Sequence, residues 1–369
     1  MQYKGMKHLT NKVILLSVII VLAGCEVISS GKTAEPEQII VASWNVQALF
    51  DGREEGNEYA EYRRGSGWTQ EKYKARVTAV SQAIQQMVRS DKAAVPDIIG
   101  LLEIENARVL EDLVKGSLSK YSYNWTAFSN IPGLSIGLGI LSRFPITDVK
   151  SHSITVGEDT APRPVLEVRI EPRGEPLVFL LCHWKSKTGK DTEALRRASA
   201  RVVHRRLLEL KQKEAGTPVI IMGDLNENHD EFYRESAFSA LLPDDPGAAA
   251  LAAIARSPGS SPDYLVLSGE KPPLSLYMEN VLTLYSPWGV ELSDGSYYYK
   301  NKWETIDHFL LSEDLFSDIG WNFFDCHVLN HEPFTTSKGI PNAYIPRNGN
   351  GLSDHLPLLL YLRYSGIGG

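Results

Sequence analysis

Short apolar runs bounded by Gly, Pro, Asp or Asn recur along the chain, at residues 39–43, 98–102, 136–141, 165–170, 177–182, 219–222, 308–311 and 356–362. A strand with one wet face alternates apolar and polar residues. Continuous runs of this length therefore predict strands buried on both faces. Other stretches have a helical period. Tyr73, Val77, Val80, Ile84 and Met87 recur at steps of four and three, which is one face of a helix. Thr69 stands where an N-cap belongs, and Glu71 falls in the first turn, where the helix dipole favours an acid. Leu195, Val202, Val203, Leu207 and Leu210 mark a second helix rich in basic residues, and residues 108–114 a shorter third. Strands and helices alternate irregularly, which argues against regular βαβ winding and for a mixed sheet pair with helices outside. Residues 242–262 read as a surface insertion and 330–350 as a long polar loop. No Gly/Ser-rich linker or internal repeat divides the chain, so residues 39–365 are expected to form one domain that works as a monomer.

Charge narrows the chemistry. The formal net charge is −7, whereas a protein that holds polyanions by bulk electrostatics is basic. An acidic chain that meets phosphate needs a cation between phosphate and carboxylate. Cysteine adds little. Apart from Cys25 there are only Cys182 and Cys326, without metal-ligand spacing. Cys182 lies inside an apolar run, so two separately buried thiols are expected rather than a disulfide.

Polar residues gather at the ends of the runs. Asn45, Glu103 and His183 each follow one, and Asp224 and Asn226 follow a fourth. Asp307 precedes a run, as do Asp354 and His355. In antiparallel packing the ends of some strands share an edge with the starts of their neighbours, so these residues can converge on one rim. Carboxylates clustered there repel one another unless a cation neutralises them. Oxygen donors with histidine as the nitrogen donor suit Mg²⁺, Mn²⁺ or Ca²⁺ rather than a Cys-rich zinc site. Taken singly, each has a plainer reading: Asp224-Leu225-Asn226 as a turn, Glu103 as an acid at a helix start, Asp354-His355 as a structural pair, His183 as an edge histidine. Their order and context carry the argument.

Trp44-Asn45-Val46, Leu102-Glu103-Ile104-Glu105-Asn106, His183-Trp184-Lys185-Ser186-Lys187, Gly223-Asp224-Leu225-Asn226, Ile306-Asp307-His308 and Ser353-Asp354-His355-Leu356-Pro357 resemble, in order, the successive motifs of the endonuclease/exonuclease/phosphatase superfamily. The segments His183-Trp184-Lys185-Ser186-Lys187 and Gly295-Ser296-Tyr297-Tyr298-Tyr299 look like its secreted bacterial nuclease branch. The resemblance implies an α/β (α+β) fold, a four-layer sandwich of two mixed β-sheets flanked by helices. It also implies hydrolysis of a phosphate ester by a metal-activated water, with one or two Mg²⁺, Mn²⁺ or Ca²⁺ ions. On that resemblance Glu103 is the principal metal ligand, with Asn45 and Asp354 near the same or a second ion. Asp224 positions and deprotonates the water, and Asn226 binds the phosphate or holds the attack geometry. Asp307 orients His355, and His183 binds a phosphate oxygen or protonates the leaving oxygen.

Other residues are open to two readings. Arg163, whose fork suits phosphate, and Lys185 are candidate substrate contacts; an ion pair and a solvated lysine are the alternatives. Tyr297, Tyr298, Tyr299 and Trp303 read equally as base-stacking rings and as packing. His204, His229 and His331 read as surface residues. At the place of His183, abasic-site repair endonucleases of the superfamily carry a Tyr. The His looks more like pancreatic deoxyribonuclease and bacterial secreted nucleases.

The first residues read as an address. Lys4, Lys7 and Lys12 precede an apolar run over 13–22, too short to span a bilayer well. It ends in Leu22-Ala23-Gly24-Cys25, which resembles the bacterial lipoprotein box. The resemblance implies loss of residues 1–24, lipidation of Cys25, and a polar tether over 25–38 that holds the domain at the bacterial cell envelope. That site is the outer membrane or cell surface in a double-membraned cell. An ordinary secretory signal or an uncleaved anchor is the other reading. The leading expectation is thus an exported nuclease acting on DNA or RNA. The alternatives are a sphingomyelinase-type phospholipase C, or an inositol-phosphate or nucleotide phosphatase, with the same site. An idle surface-binding lipoprotein is a third; it predicts a broken site, and every position here carries a competent residue type.

Overall fold

The structure, a computed structural model, describes residues 18–23, 37–88, 94–156, 159–160, 163–190, 192–235, 239–255, 262–273, 281–292 and 294–366. Among these, seven strands form one sheet in the order Val18–Ala23, Trp125–Asn130, Gly137–Ser142, Ile98–Ile104, Gln38–Leu49, Leu358–Ser365 and Gly320–Val328. Eight form the other: Leu241–Pro243, Leu265–Ser268, Thr283–Tyr285, Asp307–Leu311, Val219–Asp224, Leu177–His183, Val165–Ile170 and Ile146–His152. Both are mixed. Gln38–Leu49 runs parallel to Ile98–Ile104 and antiparallel to Leu358–Ser365. Val219–Asp224 runs parallel to Leu177–His183 and antiparallel to Asp307–Leu311.

Alternate residues of each central strand enter different cores. Leu177, Phe179 and Leu181 lie between the sheets with Ile220, Met222, Phe309, Ile98, Leu102 and Leu358. Val178, Leu180 and Cys182 face the other way, onto Val202, Val203 and Leu207 of the helix Thr192–Lys213. On the outer face of the first sheet, Ile99, Leu101 and Ile104 meet Val80 and Ile84 of the helix Gln70–Ile84 and Leu110 and Leu113 of the helix Ala107–Lys115. Both faces of the central strands are dry, which is why they read as unbroken apolar runs. Each fully buried Leu, Ile or Phe contributes about 1.5–3 kcal/mol. The four-layer sandwich of two mixed sheets flanked by helices is therefore the observed architecture.

Local signals hold at the helix ends. The Thr69 side chain accepts from the Lys72 amide at 3.3 Å. The third helix is capped by Asn106, whose Oδ1 accepts from the Val109 amide at 3.3 Å. Cys182 and Cys326 are buried free thiols in different cores.

Several expectations need correction. The described part of 242–262 is no surface insertion: Leu241–Pro243 is an edge strand, Pro246–Ala255 is a helix, and Leu242, Ala248 and Ala252 share a small core with Tyr264 and Val266, while 256–261 lie outside the described residues. Alanine side chains are too small for their periodicity to stand out. His204 is fully buried rather than at the surface. The run at 39–43 continues to Leu49 through an irregularity after Asn45. Residues 330–350 hold no regular helix or strand, yet Phe334 and Tyr344 anchor them in the helix-side core of the first sheet. Part of the apolar run at 13–22 falls in the edge strand Val18–Ala23, which pairs antiparallel with Trp125–Asn130 and which the expected cleavage before Cys25 would remove. Cys25 and most of the tether lie outside the described residues. No described helix is long and apolar enough to cross a membrane.

A buried ion network ties the helix Thr192–Lys213 to the second sheet. Glu167 accepts from Arg206 through both Nε and Nη2, the latter at 2.9 Å, and lies 2.7 Å from His152 Nε2. Burial pushes the Glu167 carboxyl up, but His152 and Arg206 outweigh it and hold it at about 2. A carboxylate depressed by folding stabilises fully above its unfolded value, about 4.3, and that stability is lost as pH falls towards 2. Glu167→Gln should therefore lower stability by about 3 kcal/mol at pH 7. Urea titrations should show the gap from wild type narrowing between about pH 4.5 and 2.

Candidate active site

Strand direction builds the rim. Parallel pairing places His183 opposite Asp224, and antiparallel pairing places Asp224 opposite Asp307. In the facing sheet, Asn45 and Glu103 lie towards the same ends of two parallel strands. His355 stands just before the antiparallel strand Leu358–Ser365; its carbonyl accepts from Trp44 Nε1 at 3.0 Å, and Ser353 Oγ donates to the Asn45 carbonyl at 2.6 Å. Asn45 joins the sheets. Its Nδ2 lies 3.3 Å from both Glu103 Oε1 and Asp224 Oδ2.

The backbone is bent to aim these groups. Glu103 has φ 64 at a bulge between Leu102 and Ile104. Such a bulge re-aims a side chain, and left-handed backbone at a non-glycine residue costs about 1–3 kcal/mol. Gly223 has φ 127, and a Cβ there would sit 2.0 Å from the Cys182 carbonyl oxygen. Only glycine lets this strand end deliver Asp224. Asn226 follows with φ 52; its amide donates to Asp224 Oδ1 at 2.9 Å and its Nδ2 to the Trp184 carbonyl at 3.1 Å.

Asp224 is the hub. Its Oδ2 lies 3.5 Å from His183 Nε2 and 3.9 Å from His355 Nε2. Burial pushes its carboxyl well above the usual carboxylate range; His355 opposes the shift and Asp307 adds to it. His355 Nδ1 lies 2.8 Å from Asp307 Oδ2, which also accepts from Ser296 Oγ at 2.6 Å. Burial disfavours charge on His355, but Asp307, Asp354 and Asp224 together hold it well above its ordinary value. His183 goes the other way. Burial, with Arg163, His355 and Lys185 nearby, pushes it well below the ordinary value, so its ring is neutral. Its Nδ1 is buried with no partner among the described residues.

The donor set fits a hard divalent cation. Burial and the neighbouring Asp354 charge push the Glu103 carboxyl up, with Arg163 in partial opposition. The Asp354 carboxylate accepts no hydrogen bond from the described residues; its amide donates to Gln47 Oε1 at 3.0 Å. Like charges left uncompensated in a buried, oxygen-rich cleft are what a cation offsets. Asp224, Asp307 and His355 also bring one donor atom each within 4.8 Å of one another. That trio is already satisfied internally by the Asp307–His355 and Ser296–Asp307 bonds, so the unmet charge lies on the Glu103 and Asp354 side.

Asn45, Glu103, His183, Asp224, Asn226, Asp307 and His355 are thus in one connected cluster, with Asp354 beside it. Arg163 is half-buried, donates to the Trp184 carbonyl at 3.0 Å and acts on both Glu103 and His183. Lys185 acts on His183. Lys187 pairs with Glu231 at 2.7 Å. Two residues at the site escaped sequence reasoning. Ser296 fell within a quoted motif without a role. Gln47, which holds the Asp354 amide and also accepts from the Tyr344 amide at 2.7 Å, leaves no signal in the sequence.

Two mixed sheets with a cation-compatible acidic cluster and an Asp-held imidazole on one rim define a phosphoesterase of the α/β sandwich class. The chain belongs to the endonuclease/exonuclease/phosphatase family: the model described as Endonuclease/Exonuclease/phosphatase family matches residues 40–249. Members of this family are hydrolases of phosphate esters and use divalent metals. No curated protein matches the chain. Among solved structures it is similar to truncated Caenorhabditis elegans TDP2, at 15% identity over 88% of this chain and 98% of that one, with TM-score 0.52. It is also similar to a humanized D. rerio TDP2, at 13% identity over 89% of this chain and 100% of that one, with TM-score 0.51. The human Nocturnin catalytic domain, with bound sulfate anion, matches at 17% identity over 89% of this chain and 94% of that one, with TM-score 0.50. At these identities the likeness is one of fold.

Proposed function

We propose that the protein is a divalent-metal-dependent nuclease that hydrolyses phosphodiester bonds of DNA or RNA at the bacterial cell envelope. The observation that supports this best is the convergence on Asp224 of Asn45, His183 and His355, drawn from both sheets. A cation held by Glu103, with Asn45 and Asp354, would offset charge building on the phosphate oxygens. Asp224 positions the attacking water and accepts its proton, and its raised carboxyl makes it a better base than a solvated one. Asn226 fixes the Asp224 carboxylate through its amide. Asp307 holds His355 so that protonated Nε2 faces the phosphate. His183, kept neutral, donates from Nε2 to a phosphate oxygen rather than acting as a strong acid. Arg163 and Lys185 add positive charge on the substrate side.

The purified protein should relax supercoiled plasmid with Mg²⁺ or Mn²⁺ and stop when EDTA is added. Intact plasmid beside rapid hydrolysis of sphingomyelin or inositol phosphates would move the assignment to a phospholipase C or a phosphatase. We place the protein on the membrane through lipidated Cys25. Labelled palmitate should enter the wild type and not Cys25→Ser, and equal labelling of the two would remove the anchor.

A further inference from the structure

The hairpin of Tyr297–Tyr299 and Lys302–Glu304 adjoins the His355 side of the site. Tyr297 forms a backbone bridge to His355, and its ring centroid lies 4.6 Å from the imidazole at an interplanar angle of 30°. Tyr299 extends the row, with its ring 6.1 Å from that of Tyr297 and nearly parallel at 19°. Strand alternation explains the row. Residues 297 and 299 share one face, while Tyr298 turns to the other and packs edge-on against Trp303 at 5.2 Å. Tyr298 and Trp303 thus satisfy the packing reading, and the other two rings do not. Tyr299 is 50% exposed, and Lys300 Nζ sits 5.1 Å from its ring centroid.

A row of rings that begins on a site imidazole ends in a half-exposed ring whose contacts are Tyr297 and the flexible Lys300 side chain. We propose that Tyr299 is a stacking platform for an unpaired nucleobase beside the scissile phosphate, so that the enzyme prefers single-stranded nucleic acid. The idea deepens the nuclease reading and rests on it for the identity of the substrate. A base in a duplex has both faces covered by its neighbours, so only an unpaired base can use this ring. The charge balance points the same way. At a net charge of −7 the chain gains little affinity from bulk attraction to phosphates, whereas stacking needs no net charge and is indifferent to base identity. Lys300 and Lys302 flank the ring, which suits a base joined to a phosphate and not a lipid chain.

The test compares two single-stranded oligodeoxynucleotides with the full chain in Mg²⁺, with hydrolysis-resistant phosphorothioate linkages for binding and ordinary linkages for cleavage. One carries 2-aminopurine among ordinary bases; the other has the same backbone with abasic tetrahydrofuran units. The wild type should bind the base-bearing strand about tenfold or more tightly than the abasic one and quench the 2-aminopurine. Tyr299→Ala should lose most of that preference, and Tyr299→Phe should keep it. Equal affinity of the wild type for both strands, binding to neither, or a preference that survives Tyr299→Ala overturns the platform. A protein that keeps the base preference but cleaves no strand with Mg²⁺ retains the platform and loses the nuclease assignment. One that cleaves both strands and binds them alike retains the nuclease assignment and loses the platform.

Discussion

Asp224→Asn is expected to slow phosphodiester hydrolysis by about a thousandfold, within the range of about 10²–10⁴ typical for a positioned general base. The substitution keeps size and shape and leaves Oδ1 free to accept from the Asn226 amide. What it removes is the proton acceptor. It also puts an amide nitrogen where Oδ2 now meets Asn45 Nδ2 and His183 Nε2. That local mismatch is offset in part because a buried carboxylate is lost with it. A thermal melt should therefore stay close to wild type while single-turnover cleavage collapses. Cleavage within tenfold of wild type by a folded Asp224→Asn protein would remove this residue from the base role.

His355→Ala should cost about a hundredfold to a thousandfold, through loss of the cationic group facing the phosphate. Asp307→Asn should cost about a hundredfold, although it touches no substrate. Asp307 works by holding His355 Nδ1 at 2.8 Å and by keeping the ring charged. An Asn at that position offers weaker orientation and no charge. Because Asp307 acts through His355, the double variant should be no slower than His355→Ala alone. Residues acting as one unit are non-additive in this way. A double variant slowed by the product of the two single effects would show that Asp307 and His355 act separately.

Legibility followed solvent exposure. The central strands were plain in the sequence because both their faces are dry. Ile146–His152 and Gly320–Val328, edge strands whose residues are mostly half-buried or exposed, left no apolar run to find. Leu241–Pro243, Thr283–Tyr285 and Tyr297–Tyr299 are too short for a pattern. The Thr69 cap was readable because an N-cap depends on residues three positions apart.

The sequence alone determined that this chain would bury two sheets between helices. It also determined which polar side chains would close or precede the apolar runs: Asn45, Glu103, His183, Asp224, Asp307 and His355. Both follow from local facts, namely the length of each apolar run and the polar residue that closes it. Tertiary structure decided what those side chains do to one another. Asn45 reaches Glu103 across 58 residues of chain and Asp224 across 179, and Gln47 meets Tyr344 across 297. The turned backbone at Glu103, the glycine demanded by the Cys182 carbonyl, the neutral His183 and the charged His355 all depend on what the neighbouring strand brings into contact. Burial and charge at a point in space are sums over groups distant in sequence, and no local pattern records them.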